Sequence, residues 1–186
     1  MSTCRAFTVS DAMPRLVHSL TLGLIGAVIV HIAILLLLPF HAQDDAWSRL
    51  EAAGGSWRFV PLERAAAAGD PMIAGLACRF DLADGPARID AAGRVPYWSL
   101  SVYSRRGHNL YSLTDRTATD RRLDMVLLTP PQMIEMRRDM PEALAGAIFV
   151  EVADPLGIVA LRVFRPDGTY APIIDPFLDS ARCEPA

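Results

Sequence analysis

Residues Leu16 to Leu38, LVHSLTLGLIGAVIVHIAILLLL, carry no formal charge and end at Pro39. At ~1.5 Å per residue this run makes about 34 Å of α-helix, enough to cross a hydrocarbon core of roughly 30 Å. The remainder of the chain is therefore read as something held at a membrane. The rival is a cleaved signal peptide, whose apolar region is about 7–15 residues long and ends in a small-x-small site. This run is longer, and Phe40-His41-Ala42 puts a bulky Phe where a small residue is needed. The expectation is an uncleaved anchor: a tail over residues 1–15, a transmembrane helix over 16–38, a stalk over 39–70 and a folded domain over 71–186.

Charge and cysteine placement set the orientation. Arg5 and Arg15 precede the run and only Arg49 follows within ~15 residues, a positive-inside bias. Cys4 lies before the run, Cys78 and Cys183 beyond it. An even pair outside the cytoplasm reads as one disulfide, with two buried free thiols as the alternative. Both clues put the N-terminus in the cytoplasm and the domain in the periplasm, on the inner membrane. His31 stands within the run, where an ionisable side chain faces a partner helix or is tolerated as neutral imidazole. Gly23 and Gly26 lack the four-residue spacing of a close-packing dimer motif.

From His41 onward there are 16 Arg against 20 Asp plus Glu, a net of about −4, which argues against nucleic acid as a partner. All 18 basic residues are Arg, so a Schiff-base lysine or a lysine general base is excluded. Neither HxH, HExxH, CxxC, GxSxG nor a glycine-rich phosphate loop occurs, so no metal, cofactor or catalytic set is assigned. Ser104, His108 and Asp115 could be drawn as a triad on paper, but three such residues near one turn are common by chance. No enzyme activity is expected.

After the anchor, Asp44 is placed to cap a short helix, Asp45 to Ala53, closed by Gly54-Gly55, with Trp47 at headgroup level. The Ala-rich stretch Leu62 to Ala68 reads as a second short helix or spacer, stopped by Gly69. From about Ile73 the period changes to two: Cys78, Phe80 and Leu82 alternate with Arg79 and Asp81. Asp84-Gly85-Pro86 turns the chain into a return strand, Ala87 to Ala91. Pro96 to Ala118 reads as a long hairpin with its turn at Ser104 to Asn109. Trp98, Leu100 and Val102 form its apolar face; Tyr97, Ser99, Ser101 and Tyr103 form a hydroxyl-rich one.

Leu123 to Leu128 is a strand candidate. Thr129-Pro130-Pro131-Gln132 then opens a helix with a capping box, a Met133, Met136 and Met140 stripe, and Arg137-Arg138 at its end. Strands Ala147 to Ala153 and Ile158 to Arg165 follow, then a Pro-rich tail to Cys183. The expected fold is mainly β, an antiparallel β-sandwich-like domain with one short packed helix, plus one N-terminal transmembrane α-helix.

The candidate site is a surface. Arg105, Arg106 and His108 gather at the hairpin tip, with Arg116, Arg121 and Arg122 after the return strand. Together with Tyr103 and Trp98 they form a candidate ligand-binding set, guanidinium forks for a carboxylate or phosphate and rings for a sugar. The interleaved Asp115, Asp120 and Asp124 support a plainer alternative, a solvated edge of mutual ion pairs.

LACRFDL, GPARID, PYWSLSVYSRRGHNLYSLTDRTA, the TPPQ helix start, ALRVFRPDG and the terminal ARC together resemble small membrane-anchored members of the domain-of-unknown-function 1254 family, of alphaproteobacterial type. The resemblance covers roughly Asp70 to Cys183. The hairpin is also similar to that of the related 1214 family, although the NWLP-type segment of that family is missing. The resemblance implies a single-pass envelope protein with a β-rich domain, paired with a 1214-type neighbour. It brings no catalytic residues and no cofactor. The expectation is a non-enzymatic interaction module acting with a partner envelope protein; the alternative is a binder or carrier of an envelope lipid or saccharide.

Overall fold

The computed structural model describes the backbone of residues 9–65 and 70–186. Cys4, Arg5 and the end of the Ala-rich stretch, residues 66–69, lie outside the described residues, as does the Asp44 side chain. Helix α1 spans Val9–Ala52. Within it, Met13–Leu38 has a mean hydropathy of 2.7 and is long and apolar enough to cross a membrane. The helix begins inside the expected tail and continues through Pro39 and Asp44, where a stop and a new start were expected. Proline removes one backbone donor, and the loss of one hydrogen bond does not end a helix of this length.

The C-terminal end of α1 matches expectation. Gly54 adopts φ +73°, and Gly55 N donates to Leu50 O at 2.8 Å. A left-handed residue just past the last turn satisfies carbonyls that would otherwise lack a partner. Gln43–Ala186 forms one compact unit. The supposed stalk is therefore largely part of the domain: Leu50, Val60 and Ala77 are buried together, with Leu62 and Ile158 packed against them.

That unit contains β1 (Val60–Pro61), α2 (Leu62–Ala65), β2 (Ile73–Asp81), β3 (Ala87–Ala91), β4 (Trp98–Ser104), β5 (Asn109–Thr114) and β6 (Leu123–Leu128). It continues with α3 (Pro130–Arg138), β7 (Ile148–Glu151), β8 (Leu156–Phe164), α4 (Ala171–Ser180) and β9 (Arg182–Pro185). One sheet has the order β1-β2-β8-β4-β5, the other β7-β6-β3-β9. The alternation read from sequence is kept in β4, where Trp98, Leu100, Val102 and Ser104 are buried and the residues between them are partly exposed. Facing residues Phe80, Ile89, Trp98, Leu100, Met125, Val159 and Leu161 form the core between the sheets.

Two features depart from the expected plan. The pair β6·β7 is parallel, Met125 opposite Ile148, because α3 carries the chain back over the sheet between them. The Pro-rich tail contains α4, whose Ile174 and Phe177 enter the core. Helix α3 forms as read: Gln132 Oε1 accepts from Thr129 N at 2.9 Å, and Gln132 Nε2 donates to Leu82 O at 2.7 Å. Its Met133 and Met136 pack on Val126 and Leu128, while Met140 falls beyond the helix and is exposed. Cys78 of β2 and Cys183 of β9 are joined in a disulfide across the two sheets, closing a separation of 105 residues.

Candidate functional site

The hairpin tip is built by Ser104 and Gly107. Ser104 N donates to His108 O at 2.8 Å and Gly107 N to Ser104 O at 2.8 Å, with Gly107 at φ +80°. Buried Ser104 Oγ accepts from His108 N at 3.2 Å, so this hydroxyl serves the turn. Arg105, Arg106 and His108 are exposed around it. Arg105 N donates to Leu156 O at 3.0 Å, fixing the tip to the start of β8.

The candidate residues do not form one cluster. Arg116 follows Thr114, which pairs with Ser99, whereas Asn109 pairs with Tyr103. Arg116 therefore sits at the opposite end of β5 from the tip, ~20 Å away at ~3.4 Å per residue. Trp98 is 1% exposed in the core and donates Nε1–H to Arg121 O, so it offers no surface. Tyr103 is half-buried on the outer face beside Ile158. Asp115 is buried at the far end of the strand, apart from Ser104 and His108, and its Oδ1 has no hydrogen-bond partner among the described residues. Asp124 pairs with Arg88 at 3.3 Å, and among the described residues neither Arg105 nor Arg106 forms an ion pair.

What the fold does assemble at the tip is a group of residues far apart in the chain. The Arg79 guanidinium lies 4.5 Å from the Trp47 ring centroid and that of Arg105 lies 5.4 Å away. Arg79 is already satisfied: its Nη1 meets Glu51 Oε2 at 3.0 Å and its Nε donates to Ser56 Oγ at 3.1 Å. The hydrogen bond and charge of Arg79 hold the Glu51 carboxyl below its usual pKa. Arg105 makes no ion pair or side-chain hydrogen bond among the described residues, though its charge also helps hold the Glu51 carboxyl down.

Beside Trp47 is a half-open cleft of about 250 Å³, lined also by Ser56, Trp57, Arg79, Phe80, Asp81, Asp84 and Leu156. Trp57 holds φ +52°, a genuine outlier for a bulky side chain. Two bonds pin it there: Trp57 N donates to Arg79 O at 3.0 Å, and its indole Nε1 to Asp84 Oδ2 at 3.3 Å. Asp81 Oδ1 accepts from Ala83 N at 2.9 Å. One oxygen on each carboxylate, Asp81 Oδ2 and Asp84 Oδ1, is left without a hydrogen bond among the described residues. Sequence reasoning found Arg105 but missed Trp47, Trp57, Arg79, Asp81 and Asp84 as a group. The available signal was the outward position of Arg79 and Asp81 in an alternating strand. A second cleft, about 550 Å³, opens along the β1 and β9 edges and shares Trp57 as a wall.

These features define the class: a two-sheet, mainly β domain, closed by one disulfide and preceded by a helix able to span a membrane. The chain belongs to the family described as "Protein of unknown function (DUF1254)", whose model matches residues 62–185. No curated protein matches it. The fold is similar to the crystal structure of the VPA0106 protein from Vibrio parahaemolyticus, with a TM-score of 0.57 and 14% identity over 77% of this chain. A putative uncharacterized protein from Burkholderia cenocepacia matches at a TM-score of 0.49 and 14% identity over 75% of this chain. The matched region is 35% and 37% of those two chains, so this chain spans about a third of each.

Proposed function

We propose that this is an uncleaved single-pass inner-membrane protein whose domain stands in the periplasm and works without catalysis, by docking on a second envelope protein. The supporting observation is an apolar patch on the domain. Met72, Tyr97 and Phe164 are 45%, 41% and 41% exposed. They lie on neighbouring strand ends: Phe164 N donates to Tyr97 O at 3.3 Å and Arg165 N to Met72 O at 2.8 Å. One step beyond the Trp98–Val163 pair, Tyr97 and Phe164 put two exposed aromatic rings on the same face of the sheet end, with Met72 exposed at the same end, and exposed apolar surface of this kind is what a partner covers. The periplasmic side is favoured because a disulfide persists in an oxidising compartment, and the Arg bias before the anchor agrees.

The partner we favour is a 1214-type envelope protein. A photo-crosslinking residue placed at Tyr97 should give one adduct of stoichiometric yield with it in solubilised membranes, and Phe164→Glu should abolish that adduct. A monomeric protein that gives no adduct from Tyr97 would contradict the proposal.

A second reading, a binder of an envelope lipid or saccharide, is favoured by the cleft at Trp47 and Trp57, where aromatic faces, a free guanidinium and open carboxylate oxygens converge. Binding sites commonly combine such a concave wall with a few placed polar groups.

A further inference from the structure

We propose that the Trp47–Trp57 cleft binds an ethanolamine-phosphate head, its ammonium against Asp81 and Asp84 and its phosphate on Arg105. This rests on the second reading above and names its ligand.

Size comes first. A cleft of about 250 Å³ equals roughly eight water volumes at ~30 Å³ each. That accommodates a small polar head and excludes an acyl chain, which would remain outside. Charge then separates the candidates. Arg79 lines the cleft, but its guanidinium is engaged by Glu51 and Ser56, so it contributes little free positive charge. Asp81 and Asp84 both line the cleft, and Asp81 Oδ2 and Asp84 Oδ1 are without a hydrogen bond among the described residues. A purely anionic ligand would meet both and be repelled. A ligand carrying an ammonium satisfies them, and the Trp57 indole can add ring–cation attraction, the Trp47 ring being already engaged by Arg79 and Arg105.

The opposite charge has its own place. Arg105 is held beside the cleft by two contacts, its N–H on Leu156 O and its guanidinium 5.4 Å from the Trp47 centroid. It has no ion pair among the described residues, and a guanidinium fork matches phosphate geometry. A zwitterion with phosphate and amine joined by two carbons therefore matches in sign the carboxylates of the lining at one end and the adjoining Arg105 at the other. A left-handed aromatic residue is costly, and here Trp57 places its indole so that Asp84 is oriented by its Nε1–H.

The test uses the full chain in phospholipid-free detergent, titrated with glycerophosphoethanolamine, glycerophosphoglycerol and inorganic phosphate by calorimetry. Glycerophosphoethanolamine should bind at least tenfold more tightly than glycerophosphoglycerol. Asp84→Asn should erase that preference, and Arg105→Gln should weaken binding at least tenfold. Intact melting curves and the retained disulfide on a non-reducing gel would verify that both variants are folded. Nanodiscs containing phosphatidylethanolamine should compete with the soluble head if a bilayer lipid is the source; no competition assigns the site to a soluble head. Equal binding of the ethanolamine and glycerol heads would overturn the inference yet leave a lipid or saccharide binder standing. Tight binding of a saccharide at this cleft, with none of the phosphate heads bound, would do the same. No binding of any of these probes would overturn both.

Discussion

Arg79 shows how much one side chain can organise. It faces outward from β2, holds Glu51 and Ser56 by hydrogen bonds, and rests on Trp47, so the end of α1, the following loop and the sheet meet at one guanidinium. Asp90 is in a less favourable position. It stands opposite Asp124 on β6 and Arg182 on β9. Burial raises its pKa most; Arg88 and Arg182 oppose the rise, while Asp124 and Glu184 add to it. A raised carboxyl pKa means the folded state disfavours the charged form, a penalty present at neutral pH and gone below the unfolded value of ~3.9. Asp90→Asn should therefore raise the melting temperature at pH 7 and have no effect near pH 3, as melting curves across pH would show. Arg121 gives a second case at φ +57°. The left-handed conformation costs a non-glycine residue ~1–2 kcal/mol, and glycine returns ~0.5–1 kcal/mol of that as chain entropy. Arg121→Gly should raise stability by about 0.5–1 kcal/mol in urea denaturation, since the Trp98 bond to its carbonyl is kept.

At the scale of elements, β8 is the strand on which the larger sheet depends, paired with β2 on one side and β4 on the other. Gly157 at its start is required by its neighbours. A Cβ there would collide with the Phe80 ring and lie 2.6 Å from Tyr103 O. Gly146 has open space around it. Gly157→Ala should cost several kcal/mol, of the kind overpacking produces, and Gly146→Ala should be near neutral. Denaturant midpoints for the two variants check this directly. The β4–β5 hairpin was legible in sequence because its alternation is local and runs for many residues. The α4 helix was not. Pro172 and Pro176 read as tail, yet Pro172 occupies the first turn, where no N–H is needed, and Ile174 and Phe177 three apart carry the buried face. Parallel pairing of β6 with β7 is a non-local outcome that neither strand announces. The tip cleft was hidden for the same reason: Trp47, Arg79 and Arg105 share no sequence window. In sequence Trp47 looks like a headgroup anchor, because its guanidinium partners lie on β2 and in the β4–β5 turn.

For the whole molecule, two covalent or physical ties matter: the apolar helix and the disulfide. Cys78 and Cys183 are 0% and 3% exposed and link the sheets over a separation of 105 residues. A crosslink closing about 100 residues restricts the unfolded chain by roughly 4–5 kcal/mol in the chain-entropy model. The double variant Cys78→Ala, Cys183→Ala should lose stability of that order, and added reductant should destabilise only the parent. The pairing of these two cysteines was legible from their count and placement, whereas the absorption of Gln43 to Pro61 into the domain was not, because Leu50 is buried by residues distant in the chain. The proposed topology keeps the apolar helix in the membrane and the disulfide-closed domain on the periplasmic side. Protease treatment of spheroplasts carrying the full chain, read on a non-reducing gel, tests it most directly. The expected result is a membrane-bound, full-length protein whose domain is digested from outside and is oxidised beforehand. A shortened soluble form, or a domain protected until lysis with Cys78 and Cys183 reduced, would contradict it.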